Sequence, residues 1–435
     1  MKIIYVFLGI IITTISWAKP VLDIKSWQSN HGAKVFFVRT TQLPMLDVNV
    51  IFKAGSAYDG NFSGVSSFVN NMLGEGTKTL SSDEVAERFD STGAEFDVSS
   101  GLDVASIHLR SLVAPRYLRL ALATFADVLS HPRFSDQGVS RIRNQTLAGI
   151  KYQQQLPGMI AHNLFYKNLY KDSPYAHPVY GTEKTVKGLS KKALIDFYKH
   201  YYVAKNSKIV LVGDITLKQA HLIAEQISRN LRPGEKARDL SLEKRLRSGR
   251  YIHYNFPSAQ STIMLGQVGI NSQNPMYTPL VVGSYIMGGM PLSSILFKQV
   301  RDQRGLAYFA TSQFISDSAR GPFVILLKTR AEKTKEAISV VRKVLEDYIA
   351  FGPTVGQLEA AKKNLVGGFP QLFDSNKKIL NLVSSLVINN RPLNYYDNYV
   401  KRINALTPSI IQKSFSKILH PKNMLTIIVG PKNNV

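Results

Sequence analysis

The sequence predicts an α+β protein of two similar domains, each built on a largely antiparallel sheet and helices. Three observations lead there. At 435 residues the chain is too long for one ordinary core, and two units of about 200 residues are expected. Leu189 to Gly213 aligns without a gap on Leu406 to Gly430, every pair offset by 217 (406 − 189), with the strands IVLVG and TIIVG superimposed. One helix–loop–strand unit ending both halves argues for a duplicated domain. Strands also come in runs broken by pairs of helices, not in strict βαβα alternation. An apolar fraction of 44% with 10% aromatic residues suits packed domains and excludes a disordered chain.

The N-terminus reads as a secretory signal over residues 1–18. Lys2 supplies the positive end, Ile3 to Ile15 an apolar run short for a membrane span, and Ser16-Trp17-Ala18 a cleavage site after Ala18. The expected location is periplasmic or secreted, an uncleaved anchor being the alternative. With no cysteine, disulfides and thiolate ligands are excluded. The net charge of +24 favours acidic peptides, an acidic partner subunit or weak contact with an anionic membrane surface. Nucleic acid is not expected, because the basic residues are scattered and not gathered in one stripe.

Lys34 to Arg39 and Asp47 to Phe52 are strand-like, rich in β-branched and aromatic residues. A glycine-broken loop, Lys53 to Ser63, leads to a helix. Ser81 to Glu84 has capping-box spacing and opens a second helix ending near Gly93. Strands Glu95 to Ser99 and Asp103 to Leu112 follow, then a helix over Tyr117 to Leu129 between Pro115 and Pro132. Asp136 to Lys171 is helical with one break at Pro157-Gly158, and Ser190 to Tyr202 is helical before the strand at Val210. Arg232 to Arg250 has a Pro-Gly step and no sustained period, and reads as a solvated tether. The predicted domains are therefore 19–231 and 251–435, joined by 232–250.

The most informative stretch is Gly64 to Thr77, GVSSFVNNMLGEGT. Val65, Phe68, Val69, Met72 and Leu73 form one apolar helical face, and Ser67, Asn70 and Asn71 an uncharged polar one. The stretch resembles the metal helix of the pitrilysin/insulinase family, the inverted zinc peptidases that include mitochondrial processing peptidase. That family reads H-x-x-E-H within a matching frame of Gly64, Met72, Leu73, Gly76 and Thr77. On this pattern Ser67 and Asn71 replace the two histidines and Asn70 the general-base glutamate. The third ligand of the family, a glutamate roughly 76 residues past the second histidine, falls on Leu147. No Asp or Glu lies between Gln137 and Lys171 to take its place, and the metal-capable His162 reads as packed or solvent-facing. Neutral Ser and Asn side chains are poor zinc ligands. His177-Pro178, Gly181-Thr182 and Asn206 extend the resemblance as structural matches, and the family implies two sheet-and-helix domains facing each other across a cleft.

Gly288-Gly289-Met290 and Leu296 to Tyr308 (LFKQVRDQRGLAY) are the most specific feature of the second half. The resemblance implies that Arg301 and Tyr308 bind substrate backbone opposite the zinc. A guanidinium and a phenol both donate to carbonyl oxygens, which suits that role. Arg304 and Gly305 also match and are read as shaping the turn. Without the resemblance, Arg301 would be expected to pair with an acid such as Asp302, and Tyr308 to pack in a sheet.

The resulting expectation is a non-catalytic, substrate-binding subunit of a heteromeric zinc metallopeptidase. It binds no cofactor itself, its homologous partner carries the zinc, and its substrate is a peptide or unfolded polypeptide. The alternative is a binding or assembly module with no proteolytic role. A self-sufficient enzyme needs another metal site, for which the nine histidines offer no clustered spacing.

Overall fold

The computed structural model describes residues 20–240, 248–316 and 318–432. The expected signal and part of the expected tether lie outside them. The first half carries strands β1 (Lys25–Gln28), β2 (Lys34–Arg39), β3 (Met45–Phe52), β4 (Glu95–Ser100), β5 (Ala105–Leu112) and β6 (Ser207–Gly213). Its helices are α1 (Val65–Met72), α2 (Ser82–Thr92), α3 (Pro115–Ser130), α4 (Asp136–Gln153), α5 (Pro157–Tyr170), α6 (Glu183–Gly188), α7 (Lys191–Tyr201) and α8 (Leu217–Asn230). The second half carries β7 (Arg250–Asn255), β8 (Gln260–Val268), β9 (Ala307–Phe314), β10 (Pro322–Arg330) and β11 (Leu425–Gly430). Its helices are α9 (Tyr277–Ser284), α10 (Thr334–Phe351), α11 (Val355–Gly367), α12 (Asn376–Ile388), α13 (Tyr399–Asn404) and α14 (Pro408–Ile418).

The sheet orders are β1-β2-β6-β3-β5-β4 and β7-β11-β8-β10-β9. Without β1 they are the same order, strand for strand. Each has one parallel pair, β2 with β6 and β7 with β11, and is otherwise antiparallel. The 217-residue offset extends to detail. Ser190 and Thr407 cap α7 and α14, and short 3-10 turns at Ala204–Asn206 and Pro421–Asn423 lead into the closing strands.

Local chemistry sets several boundaries. Ser81 and Glu84 form the expected capping box, and Gly93 ends α2 in the left-handed region. Pro115 does not precede its helix but opens it, because a proline at the first helical position sacrifices no intrahelical bond. Pro157 does the same for α5, so the break before it falls at residues 154–156. The solvated-tether reading of 232–250 fails for its first residues. Asn206 Oδ1 accepts from the backbone of Ala237 at 3.0 Å, Asp239 pairs with Lys53, and Leu240 joins a hydrophobic cluster.

Each sheet packs one face on helices of its own half. The other face is covered by a helix from the opposite half. Helix α12 lays Ile379, Leu380, Val383 and Val387 on Val38, Ile51, Val210 and Val212 of the first sheet. Helix α5 lays Ala161, Phe165 and Leu169 on Met264, Val268, Val324, Leu425, Ile427 and Val429 of the second. Gly266 makes room for this contact, since a Cβ there would stand 2.9 Å from Phe165 Cζ. A polar clasp adds to the exchange. Asp103, in the β4–β5 turn, accepts from the Tyr175 hydroxyl and from Ser318 N at 2.7 Å, and Ala319 N donates to Tyr175 at 3.0 Å.

A fully buried phenylalanine truncated to alanine costs about 3–5 kcal/mol. Phe165→Ala is therefore expected to destabilise the whole chain by that amount in chemical denaturation, with both halves still unfolding together. Two separated transitions in the wild type would contradict the coupling of the halves through exchanged helices.

Candidate functional site

The loop entering α1 is fixed by a buried carboxylate. Asp59, 3% exposed, accepts from Gly64 N at 2.6 Å and Ser66 N at 3.0 Å, satisfying free N–H groups at the start of the helix. Gly64 and Gly181, both at positive φ, lie against each other. A Cβ on Gly64 would stand 2.9 Å from Gly181 Cα, so two glycines that match the family frame are required by one close approach.

On α1 the polar positions do not face solvent. Ser67 is 2% exposed, Asn70 is fully buried and Asn71 half-buried. Asn70 Nδ2 donates to Ser99 O at 2.9 Å and to Ser100 Oγ at 3.2 Å, both on β4. Its Oδ1 accepts from the Tyr202 hydroxyl at 3.1 Å. Burial holds that phenol well above its ordinary range, so it remains a donor. The carboxamide is thus used on both sides. Leu147, on α4, packs into the hydrophobic core of the first half. Glu75, just beyond α1, is bound by Arg141 from α4, with Nε to Oε2 at 2.9 Å.

These residues do not fit a zinc ion. Tetrahedral zinc takes imidazole, thiolate or carboxylate, whereas this pocket offers a hydroxyl, two carboxamides and an alkyl chain. Among the described residues no group of three or more His, Cys, Asp or Glu side chains is arranged to hold a metal.

Arg301 and Tyr308 form a separate site on the second half. Tyr285–Gly289 and Phe297–Asp302 are both π-helical turns, a local widening frequent at functional positions. Gly288 permits the first turn to press on β9, because a Cβ there would stand 2.3 Å from Ser312 N. The Arg301 guanidinium carbon lies 4.9 Å from the ring centres of both Phe297 and Tyr308. Its partners are two aromatic faces, not Asp302. Tyr308 falls at a β-bulge in the pairing of β9 with β10, where Ala307 opposes Thr329 and Phe309 opposes Lys328. The bulge turns its side chain outward, and Tyr308 is 75% exposed. Arg304 Nη1 donates to Gln299 O and Oε1, each at 2.7 Å, and Gly305 has φ +58°, so both shape the turn.

The structure therefore joins Arg301 to Tyr308, and separately joins Ser67, Asn70 and Asn71 on α1 to the helix that bears Leu147. The two groups are not equivalent in the duplicated fold: α1 follows β3 as α9 follows β8, whereas the turn bearing Arg301 precedes β9 as α2 precedes β4. In each half a helical segment reaches a left-handed glycine, Gly93 or Gly305, and then an edge strand, β4 or β9. Tyr202, Ser99 and Ser100 were not legible as partners of Asn70. Phe297 was signalled by its position four residues before Arg301 on a helical turn.

Burial pushes the Asp59 carboxyl up from 3.8 to about 7, against the pull of its backbone donors. The folded state then holds this proton more tightly than the unfolded state. Its contribution to stability is complete below about pH 4 and is lost as pH rises through about 7. Melting temperatures from pH 5 to 8 are expected to fall more steeply for the wild type than for Asp59→Asn. Parallel profiles would contradict the assignment.

Residues 34–183 match the profile described as insulinase (peptidase family M16), and residues 188–365 match that of the peptidase M16 inactive domain. A crystal structure of a peptidase M16 inactive domain from Pseudomonas fluorescens is 36% identical, covers 94% of this chain and 98% of its own, and superposes with a TM-score of 0.91. A Rickettsia felis protein named uncharacterized zinc protease is 29% identical over 71% of this chain and 76% of its own. A Helicobacter pylori protein named non-peptidase homolog YmxG is 22% identical over 86% of each chain. By fold, by sequence and by the frame around α1, this chain belongs to the insulinase (M16) peptidase family.

Proposed function

We propose that this chain is the non-catalytic, substrate-binding subunit of a two-chain zinc peptidase, and that Arg301 and Tyr308 are its contribution to catalysis. The carrying observation is the contrast between its two sites, one in each half. Where a metal helix would present ligands, Asn70 is tied into β4 and Tyr202. Where the second half presents its motif, a guanidinium and a phenol stack on one another at the surface. Such a pair can donate to the carbonyl oxygens of an extended peptide and to an oxyanion forming on it. The zinc and the activated water belong, on this reading, to a homologous partner, and the substrate is a peptide or unfolded polypeptide. The name non-peptidase homolog carried by the Helicobacter relative supports this reading. The charge of +24 suits an acidic partner, and Lys2 to Ala18 suit export to the periplasm or medium.

Three results are expected. Metal analysis of the purified chain gives no stoichiometric zinc, and the chain alone cleaves no peptide. Ser67→His, Asn70→Glu and Asn71→His together restore little activity, because Leu147 remains and a carboxylate at position 70 cannot donate to the Ser99 carbonyl as Asn70 does. About one zinc per wild-type chain, with activity lost to a chelator, would overturn the proposal.

Mixed with a zinc-bearing homologue, the chain is expected to elute from size-exclusion chromatography as a single heteromer with peptidase activity. In that complex Arg301→Ala is expected to lower kcat/KM about 10- to 100-fold, the equivalent of a charged hydrogen bond of about 1.5–3 kcal/mol. Tyr308→Phe costs less, and Arg304→Ala lowers Tm more than turnover. Separate elution with no gain of activity, or wild-type turnover from the Arg301 variant, contradicts the shared site.

A further inference from the structure

The helical side of the first half holds a second concentration of unused chemistry. A pocket of about 470 Å³ lies between the loop after α1, the α3–α4 connection, α7 and the chain just after α8. Lys78, Arg133, Lys199 and Arg232 line it, one from each of these four stretches, and all are exposed. No acidic side chain is among its lining residues. Of the carboxylates nearby in sequence, Asp127 is bound to His131, itself a lining residue, at 2.9 Å, while Lys191 holds Asp136 at 2.8 Å and Lys192 holds Asp196 at 2.5 Å. Four cations thus line one pocket with no carboxylate among its lining residues, an arrangement that favours a bound anion.

A second observation is independent of charge. Ser130, in the last turn of α3, also lines this pocket and is 7% exposed, yet its hydroxyl is buried with no hydrogen-bond partner. Buried polar groups in folded proteins are normally paired, and this hydroxyl, closed off from solvent in the free protein, gains an acceptor if the pocket wall parts around a bound oxyanion. The neighbouring Tyr198 hydroxyl is already used, donating to Leu129 O at 2.8 Å.

We propose that this pocket binds a phosphate monoester or diphosphate group, carried by a small molecule or by a lipid headgroup. Several oxygens on one compact, multiply charged centre can receive two guanidinium forks, two ammonium groups and a hydroxyl, which a single carboxylate cannot. The volume is that of a small-ligand site, and neither Arg301, Tyr308 nor any α1 residue lines it.

The test is calorimetric titration of the mature chain with inorganic pyrophosphate, and, in parallel, flotation with phosphatidic acid vesicles against phosphatidylcholine vesicles. Saturable one-to-one binding of pyrophosphate is expected, weakened at least about tenfold by Arg133→Ala with Lys199→Ala. Ser130→Ala is expected to weaken it roughly fivefold with Tm unchanged, because the hydroxyl supports nothing in the free protein. Lys413→Ala with Lys417→Ala removes the same charge from exposed positions on α14 and is expected to change affinity less than about twofold. Binding to phosphatidic acid vesicles without pyrophosphate binding, lost in the Arg133/Lys199 variant, supports the site and assigns the lipid source. Absence of saturable binding to either probe, or equal losses in the α14 control, overturns it and leaves only the general attraction of a basic protein for anions.

Discussion

The exchange of α5 and α12 between the two halves is the contact on which the rest of the architecture depends. A twisted sheet with one apolar face left open would not be stable in water, and neither half covers both faces of its own sheet. Phe165 on Gly266 and Val383 over the first sheet therefore do more than fill space. They fix the orientation of one half relative to the other. The clasp of Asp103 and Tyr175 on Ser318 and Ala319 places the β4–β5 turn against the loop between β9 and β10, the strand that bears Tyr308.

The two sites stand on non-equivalent elements of the duplicated fold, α1 in one half and the turn before β9 in the other, so a change in one leaves the other intact. Strands β4 and β9 are equivalent edges, each reached through a left-handed glycine. In the first half, Asn70 satisfies the C-terminal end of β4 by donating to Ser99 and Ser100, and it accepts from Tyr202. This is structural use of a position where the family keeps a base, and it leaves no orphaned charge in the core. In the second half, the bulge at Tyr308 and the widened turn at Arg301 cost regular hydrogen bonding and serve no evident packing purpose. Local irregularity of that kind persists where function requires it.

Much of the fold was legible in the sequence, because it depends on local signals. The capping box at Ser81 and the stop at Gly93 define α2 by themselves, and Ser190 with Thr407 at a fixed offset shows the duplication. Features set by distant residues were not. Phe165 and Val383 sit on helices whose apolar faces look like any amphipathic helix, so the sequence cannot say which sheet they cover. Asn70 looks like part of a solvent face, and only the approach of β4 and Tyr202 buries it. The tether reading missed the pinning of residues 237 to 240, since Asn206 and Lys53 are far away in sequence. Arg301 was placed by motif alone, and its stacking on Phe297 required the π-helical turn to be seen.

The claim most exposed to test is that the surface around Tyr308 meets substrate bound on another chain. Replacing Tyr308 with a photo-reactive benzoylphenylalanine, in complex with a zinc-bearing homologue and a non-cleavable peptide, measures that contact directly. The account predicts a cross-link from position 308 to the peptide that forms only when the homologue is present. Cross-linking of the peptide by this chain alone at equal yield, or no peptide adduct in the assembled pair, would contradict it.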